Sequence, residues 1–177
     1  IQHALANMFH GAHYILTPNN QSSPEHLALM ERLARYIGCA DVVQTTAERH
    51  DAIIAYTSQM MHVIAVSVCD DPSLFDYQGF EGDSFRGCTR VAALDVPLWT
   101  QLFSMNAEAL GRALEQLEEN IRQYRQAIQS GDLEGLSEKL ARSSARKRKM
   151  NRMEASSGAV GRDRWEGSRD GATTSES

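Results

Sequence analysis

A mainly α chain is predicted, with a helical domain preceded by a β-α-β remnant of a larger α/β domain. Three observations predict it. A strand, helix, strand pattern with short joints occupies residues 12–44. Long helical periodicity then runs almost without strand signals. Within it, Phe103, Ala107, Leu110, Leu114, Leu117, Ile121, Tyr124 and Ile128 alternate at spacings of four and three, an a/d seam that must pack on another helix.

Residues 12–18, AHYILTP, predict a short buried strand stopped by Pro18. Ser23 is a helix cap, with Pro24 first and Glu25 in the first turn. Leu27, Met30, Leu33, Ala34 and Ile37 follow at helical spacing, and Gly38 ends the run. ADVVQ, 40–44, predicts a second strand. Thr45-Thr46-Ala47-Glu48 fits a capping box, and an unbroken helix is expected to about Cys69. Pro72, Gly79 and Gly82 mark a loop, and Ser84 to Leu94 a short helix. Asp95 caps a helix with Pro97 in its first turn, expected to run from about Val96 to Gln129 with Glu118 and Arg122 paired on its surface. Gly131 ends it, and a last helix is expected over Asp132 to Met150. Residues 153–177, rich in Ser, Gly, Thr and charge, predict disorder.

Apolar residues make up 42% and charged residues 23% of the 177, an ordinary globular balance. The net charge of -5 argues against a general nucleic-acid binder. No apolar run is judged long enough to cross a bilayer, so no membrane partner is expected. Lys139, Arg142, Arg146, Lys147, Arg148, Lys149 and Arg152 form a basic cluster, read as a solvated helix end rather than a nucleic-acid or lipid surface. Cys39, Cys69 and Cys88 form no CxxC pair, which fits free thiols in a reducing cytoplasm. Ile1 at the start, with no basic-then-apolar leader, is read as a cut inside a longer protein.

Few residues point to chemistry by themselves. Ser58 and His62 share a helix face at i, i+4; spacing alone favours a histidine bonded to a backbone carbonyl over a proton shuttle. His50-Asp51 begins that helix, and His10 and His13 lack the partners of a metal site, so no metal is expected. GDSFRGCTR, Gly82 to Arg90, has a glycine-containing loop leading to Arg86 and Arg90. An arginine grips a carboxylate through two parallel hydrogen bonds; the rival for each is a surface ion pair, and the two are close to even. GxGxxG, P-loop, GxSxG and HExxH are all absent.

Four segments together, LANMFHGAHYILTP (5–18), AERHD (47–51), TSQMMH (57–62) and GDSFRGCTRVAALDVPLW (82–99), resemble in order and spacing the prephenate dehydrogenases of tyrosine biosynthesis, over about residues 1–150. The resemblance implies a Rossmann domain binding NAD or NADP, ending here at about residue 45. A helical dimerisation and substrate-binding domain over 46–150, forming a homodimer, and a tail at 151–177 would come after it. It implies oxidation of prephenate at its ring hydroxyl carbon, hydride passing to nicotinamide and carbon dioxide leaving to give 4-hydroxyphenylpyruvate. Arogenate dehydrogenase is the near alternative, and a non-catalytic helical dimerisation module the rival from another class. The family's catalytic histidine, in an HPxxG segment, and its glycine-rich loop do not occur in this chain, so no catalytic residue is assigned and the chain alone is expected to be inactive. By resemblance Arg90 matches an arginine that binds a prephenate carboxylate, and His62 a substrate-pocket histidine. Ser58 matches a polar residue near nicotinamide and substrate, Arg86 a basic position by the pocket, and Trp99 a tryptophan that encloses it. Two departures stand out: Gly87 replaces a common aspartate, and Asp83 replaces a glycine beside the anion site.

Overall fold

The computed structural model describes residue 5 and residues 7–169, with side chains as far as residue 153. The chain divides into two compact units: Thr45–Arg122, and a second that joins the segment before it to residues from Gln123 onward.

In the second unit β1 (His13–Leu16) and β2 (Asp41–Gln44) pair in parallel, His13 opposite Asp41 and Leu16 opposite Gln44. Both strands are shorter than expected, because Pro18 and the turn after it cut β1 short and, among the described residues, the ladder has two strands; β1, expected to be buried, is half-open, with Ile15 exposed. α1 (Pro24–Tyr36) makes the crossover, capped by Ser23, whose Oγ accepts from the His26 amide at 3.2 Å. Gly38 closes it at φ +97°, a conformation that a side chain rarely adopts. Ala34 and Cys39 are buried, whereas Ile15, Leu29, Leu33 and Val43 are exposed. Parallel sheets ordinarily have both faces covered.

The first unit is helical. α2 (Ala47–Ile54) passes through a π turn (Ala55–Gln59) into α3 (Met60–Cys69). The cap is Thr46, whose Oγ1 accepts from the Arg49 amide; it is not the capping box from Thr45, whose hydroxyl is buried without a hydrogen-bond partner. A 3₁₀ segment (Pro72–Tyr77) leads to α4 (Asp83–Thr89). The expected helix to Leu94 stops at Arg90, where the backbone turns.

The expected continuous helix from Val96 is two helices, α5 (Val96–Met105) and α6 (Ala107–Ser130), broken at Asn106. Asp95 caps α5, its Oδ1 accepting from the Leu98 amide at 3.0 Å. The Glu118 pairing is also corrected: Arg122 grips Glu119 with two contacts of 2.7 Å, because i, i+3 geometry lets its planar fork meet both oxygens. Exposure is high, so this pair adds little stability. The seam is only partly used. Leu110 is buried with Ala55 and Met60, and Phe103, Leu114 and Leu117 pack around them, but Ile121 and Ile128 are exposed.

α6 ends at Gly131, φ +69°, and α7 (Leu133–Arg169) begins under an Asp132 cap whose Oδ1 accepts from the Gly135 amide. Within the second unit Tyr124 Oη lies 3.0 Å from Ser143 Oγ, and Lys139 Nζ donates to Gln123 Oε1 at 2.8 Å, which fixes α7 against the end of α6. α7 continues well past Met150, so the expected disorder from about residue 151 is corrected as far as Arg169; residues 170–177 lie outside the described residues. Ala, Arg, Lys, Met and Glu are good helix formers and no proline follows Pro97, so polar composition does not break the helix.

A second correction concerns hydrophobic length. The 23-residue helical stretch Ala47–Cys69, with mean hydropathy 1.5 over its most apolar 18 residues, is long and apolar enough to cross a membrane by length and composition. The charged start AERHD masks this in the sequence. The same helix supplies Ala55, Gln59, Met60 and Ala65 to the buried interior of its unit, while most of its length is not buried.

Replacing Leu110 by alanine should lower stability by about 2–5 kcal/mol through lost burial and a cavity. Urea denaturation followed by far-UV circular dichroism measures it; an unchanged midpoint would contradict this core.

Candidate functional site

The helix carrying Ser58 and His62 presents its chemistry at the π turn. One extra residue in the turn rotates α3 relative to α2, and such turns recur at functional sites. Ser58 lies inside the turn and His62 one turn beyond, both half-buried. His62 Nδ1 lies 2.9 Å from the Ser58 carbonyl oxygen. A carbonyl only accepts, so Nδ1 carries the hydrogen and donates, and in the neutral ring Nε2 keeps the lone pair. The backbone bond expected from spacing is therefore present, and it orients the ring.

The ring also has an aromatic floor. Trp99, on the first turn of α5, stacks on His62 with centroids 3.7 Å apart and planes 27° from parallel. Phe103, one turn along α5, tilts against Trp99 at 5.4 Å. Stacking fixes a flat apolar wall beside a polar ring nitrogen, the pairing of surfaces that a ring with a polar substituent needs.

The arginines lie on α4, which packs against α3. Arg86 is in its last turn and Arg90 at its C-terminal cap; both are exposed. Thr89 does not present its hydroxyl outward, since Oγ1 donates to the Phe85 carbonyl. Among the described residues Arg90 forms no ion pair and no hydrogen bond. The surface ion pair weighed against a ligand role is not formed. Arg86 is different: its charge lies close enough to Glu81 to favour the carboxylate. The Glu81 carboxyl is held below its usual range chiefly by backbone amides of Glu81 and Gly79, then by Arg86.

Two polar residues were missed in the sequence. Gln59, at the end of the π turn, is buried, and its Nε2 donates to the Leu102 carbonyl at 3.1 Å. Asn106 Nδ2 donates both to Gln59 Oε1 at 2.8 Å and to the Asp51 carbonyl at 2.9 Å. A polar residue inside an apolar helix, and an asparagine amid a heptad seam, were the available signals. His50 Nδ1 lies 3.1 Å from Asp51 Oδ1, outside the stack.

Among the described residues, the turn of the β-α-β segment does not fit a dinucleotide's pyrophosphate. The one strand-to-helix turn of the β-α-β segment, Thr17–Ser23, has no glycine. Its amides are already used: Asn19 Oδ1 accepts from the Gln21 amide, and Ser22 Oγ from the Asn19 amide. It offers no close-approach loop for a pyrophosphate.

Comparison with known proteins decides the family. Residues 46–142 match the family of the prephenate dehydrogenase dimerization domain. The chain belongs to the prephenate dehydrogenase family. The cyclohexadienyl dehydrogenase of Zymomonas mobilis subsp. mobilis is 32% identical over 133 residues, 72% of this chain and 45% of that protein. The solved structure of A. aeolicus prephenate dehydrogenase, in complex with hydroxyphenyl propionate and NAD+, superposes with a TM-score of 0.74 at 26% identity, over 84% of this chain and 54% of that one. Synechocystis arogenate dehydrogenase shares the fold, with a TM-score of 0.71 at 23% identity over 81% of this chain and 54% of that one. The chain thus spans about half the length of the relatives it matches. A helical domain preceded by a Rossmann remnant is the fold of this prephenate dehydrogenase family chain.

Because its folded pKa is depressed, Glu81 should hold the Gly79 amide at neutral pH and release it only as pH falls below the ordinary carboxylate range. The Gly79 amide shift followed by NMR against pH checks this; a midpoint at or above the ordinary range would contradict it.

Proposed function

We propose that this chain is the substrate-binding and dimer-forming part of an NAD- or NADP-dependent dehydrogenase that converts prephenate to 4-hydroxyphenylpyruvate in tyrosine biosynthesis. The observation that carries it is the His62–Trp99 stack, with α3, which bears His62, packed on α4, where among the described residues no carboxylate pairs with Arg90. Arg90 takes a substrate carboxylate by two parallel hydrogen bonds. His62 Nε2 faces a polar group of the substrate, with Nδ1 committed to the Ser58 carbonyl. Trp99 packs on the ring and excludes water, Ser58 lines the pocket, and Arg86 adds positive potential. Gly87 leaves Arg90 without the neighbouring carboxylate common in relatives, and Asp83 sets a negative charge at the start of the same helix.

When bound, the nicotinamide accepts the hydride. We assign most of its binding, and the catalytic histidine, to other parts of the enzyme, with Ser58 near where nicotinamide and substrate meet. We assign residues 1–45 to the end of that dinucleotide-binding domain and 46–150 to dimerisation and substrate binding, in support of which the family match covers 46–142. The partner is a second copy, met through α5 and α6, and the exposed Ile121 and Ile128 suit that role. The enzyme is cytoplasmic and takes neither nucleic acid nor membrane. Arogenate differs from prephenate in the group beside one carboxylate, and activity of the full-length enzyme on each substrate separates them.

Prephenate should bind this chain, and Arg90→Ala should weaken binding by roughly ten-fold or more, with Arg90→Lys restoring only part, as titration calorimetry would measure. Equal affinity for Arg90→Ala would sink the assignment. The purified 177-residue chain should not reduce NAD or NADP with prephenate; sustained turnover would overturn the division of labour.

A further inference from the structure

The amides of buried Gln59 and half-buried Asn106 form a chain with one consistent orientation. Asn106 reaches the Asp51 carbonyl, which only accepts, so the atom there is Nδ2. The same nitrogen meets Gln59 at 2.8 Å, so Gln59 turns Oε1 towards it. That leaves Gln59 Nε2 for the Leu102 carbonyl at 3.1 Å, where a donor is required. Each contact fixes the next.

The places these contacts join matter more than their number. Asp51 lies one turn before the π turn, and Gln59 is its last residue. Asn106 sits at the break between α5 and α6, and Leu102 on the last turn of α5. The two side chains therefore staple both ends of the π turn to the C-terminal end of α5. His62 follows the π turn by three residues, and Trp99 stands one turn before Leu102 on α5. The staple sets the distance between the two elements that carry the stacked rings.

We propose that Asn106 and Gln59 are positioning residues for the substrate site, holding α5 so that Trp99 stacks on His62. Only the consequence for substrate rests on the function proposed above. Each acts through the backbone of the element it ties.

The test uses the 177-residue chain, with the His62 ring protons assigned by loss of their signals in His62→Gln. Stacked under an indole, they should lie upfield of the other histidine ring protons. Asn106→Asp keeps the shape but has no donor, and Gln59→Glu loses the donor to Leu102. Both should return the His62 ring protons towards the unstacked position. Leu117→Ala, which thins the core elsewhere, should lower stability without moving them. If Asn106→Asp does not fold, Asn106→Ser, with one donor, should give an intermediate shift. Unmoved ring protons in folded Asn106 and Gln59 variants would overturn the proposal. Prephenate is then titrated into the same variants: Asn106→Asp should bind roughly ten-fold more weakly. Unweakened binding with the stack lost would overturn the substrate consequence. If Arg90→Ala binds prephenate normally while Asn106→Asp still unstacks the rings, the functional assignment fails and the positioning role stands.

Discussion

Close approach of α6 to the helix running through the π turn is the constraint on which the rest of the helical unit depends. Ala55 is fully buried, and Met60 and Leu110 nearly so, with Val63, Ile64, Phe103, Leu114 and Leu117 around them. A small residue at position 55 lets a leucine from the facing helix enter, and the flexible methionine fills the remaining gap. This contact is apolar and non-directional. It brings the helices together without deciding how far one is slid or turned along the other.

Directional contacts decide that. The Gln59 and Asn106 amides have geometric demands that alkyl groups lack, and a buried one left unpaired costs about 1–3 kcal/mol. A slip that preserved the apolar packing but parted Gln59 from Asn106 would leave the buried Gln59 oxygen unmet. Polar groups in this position add less to stability than to uniqueness of arrangement. Phe103 joins the two layers, since it packs on the core through one side and against Trp99 at 5.4 Å through another.

Much of this fold was legible because local signals are local in cause. Ser23, Asp95 and Gly131 act at the positions their chemistry predicts, through bonds to atoms within three residues or through one backbone angle. The β-α-β order comes from apolar runs separated by turn residues. The π turn has a weaker local signal, the Thr57 hydroxyl donating to the Ile53 carbonyl at 2.7 Å, and its Gln59 end is tied to Asn106, 47 residues away. The same asparagine hid the α5–α6 break: the heptad spacing runs straight across Asn106, and periodicity does not register one polar interruption that leaves the apolar phase unchanged. The seam misled in a second way. A repeat at Ile121 and Ile128 states that an apolar face exists, not that this chain covers it. For the candidate site, spacing paired His62 with the Ser58 carbonyl, but nothing in spacing placed Trp99, 37 residues on, over its ring.

The two arginines show how position on a short helix separates roles that sequence leaves equal. Both are exposed residues of one segment, four apart. Arg86 lies within the field of Glu81, whose carboxylate accepts from the Gly79 amide at 2.9 Å. Its charge is partly answered before any ligand arrives. Arg90 lies past the last turn of α4, where the backbone turns away and among the described residues no carboxylate pairs with it. A guanidinium there keeps its full hydrogen-bonding fork, and water is its only competitor for an anion. The absence of an aspartate at Gly87 then acts in two directions. It removes an anchor that would hold Arg90 in one rotamer, so more side-chain entropy is lost on binding. It also removes a competing anion, so the whole charge is available to the ligand. An arginine that is free but unanchored binds a carboxylate with less pre-organisation, so under the substrate role proposed for it, precision would fall to the stacked rings of His62 and Trp99.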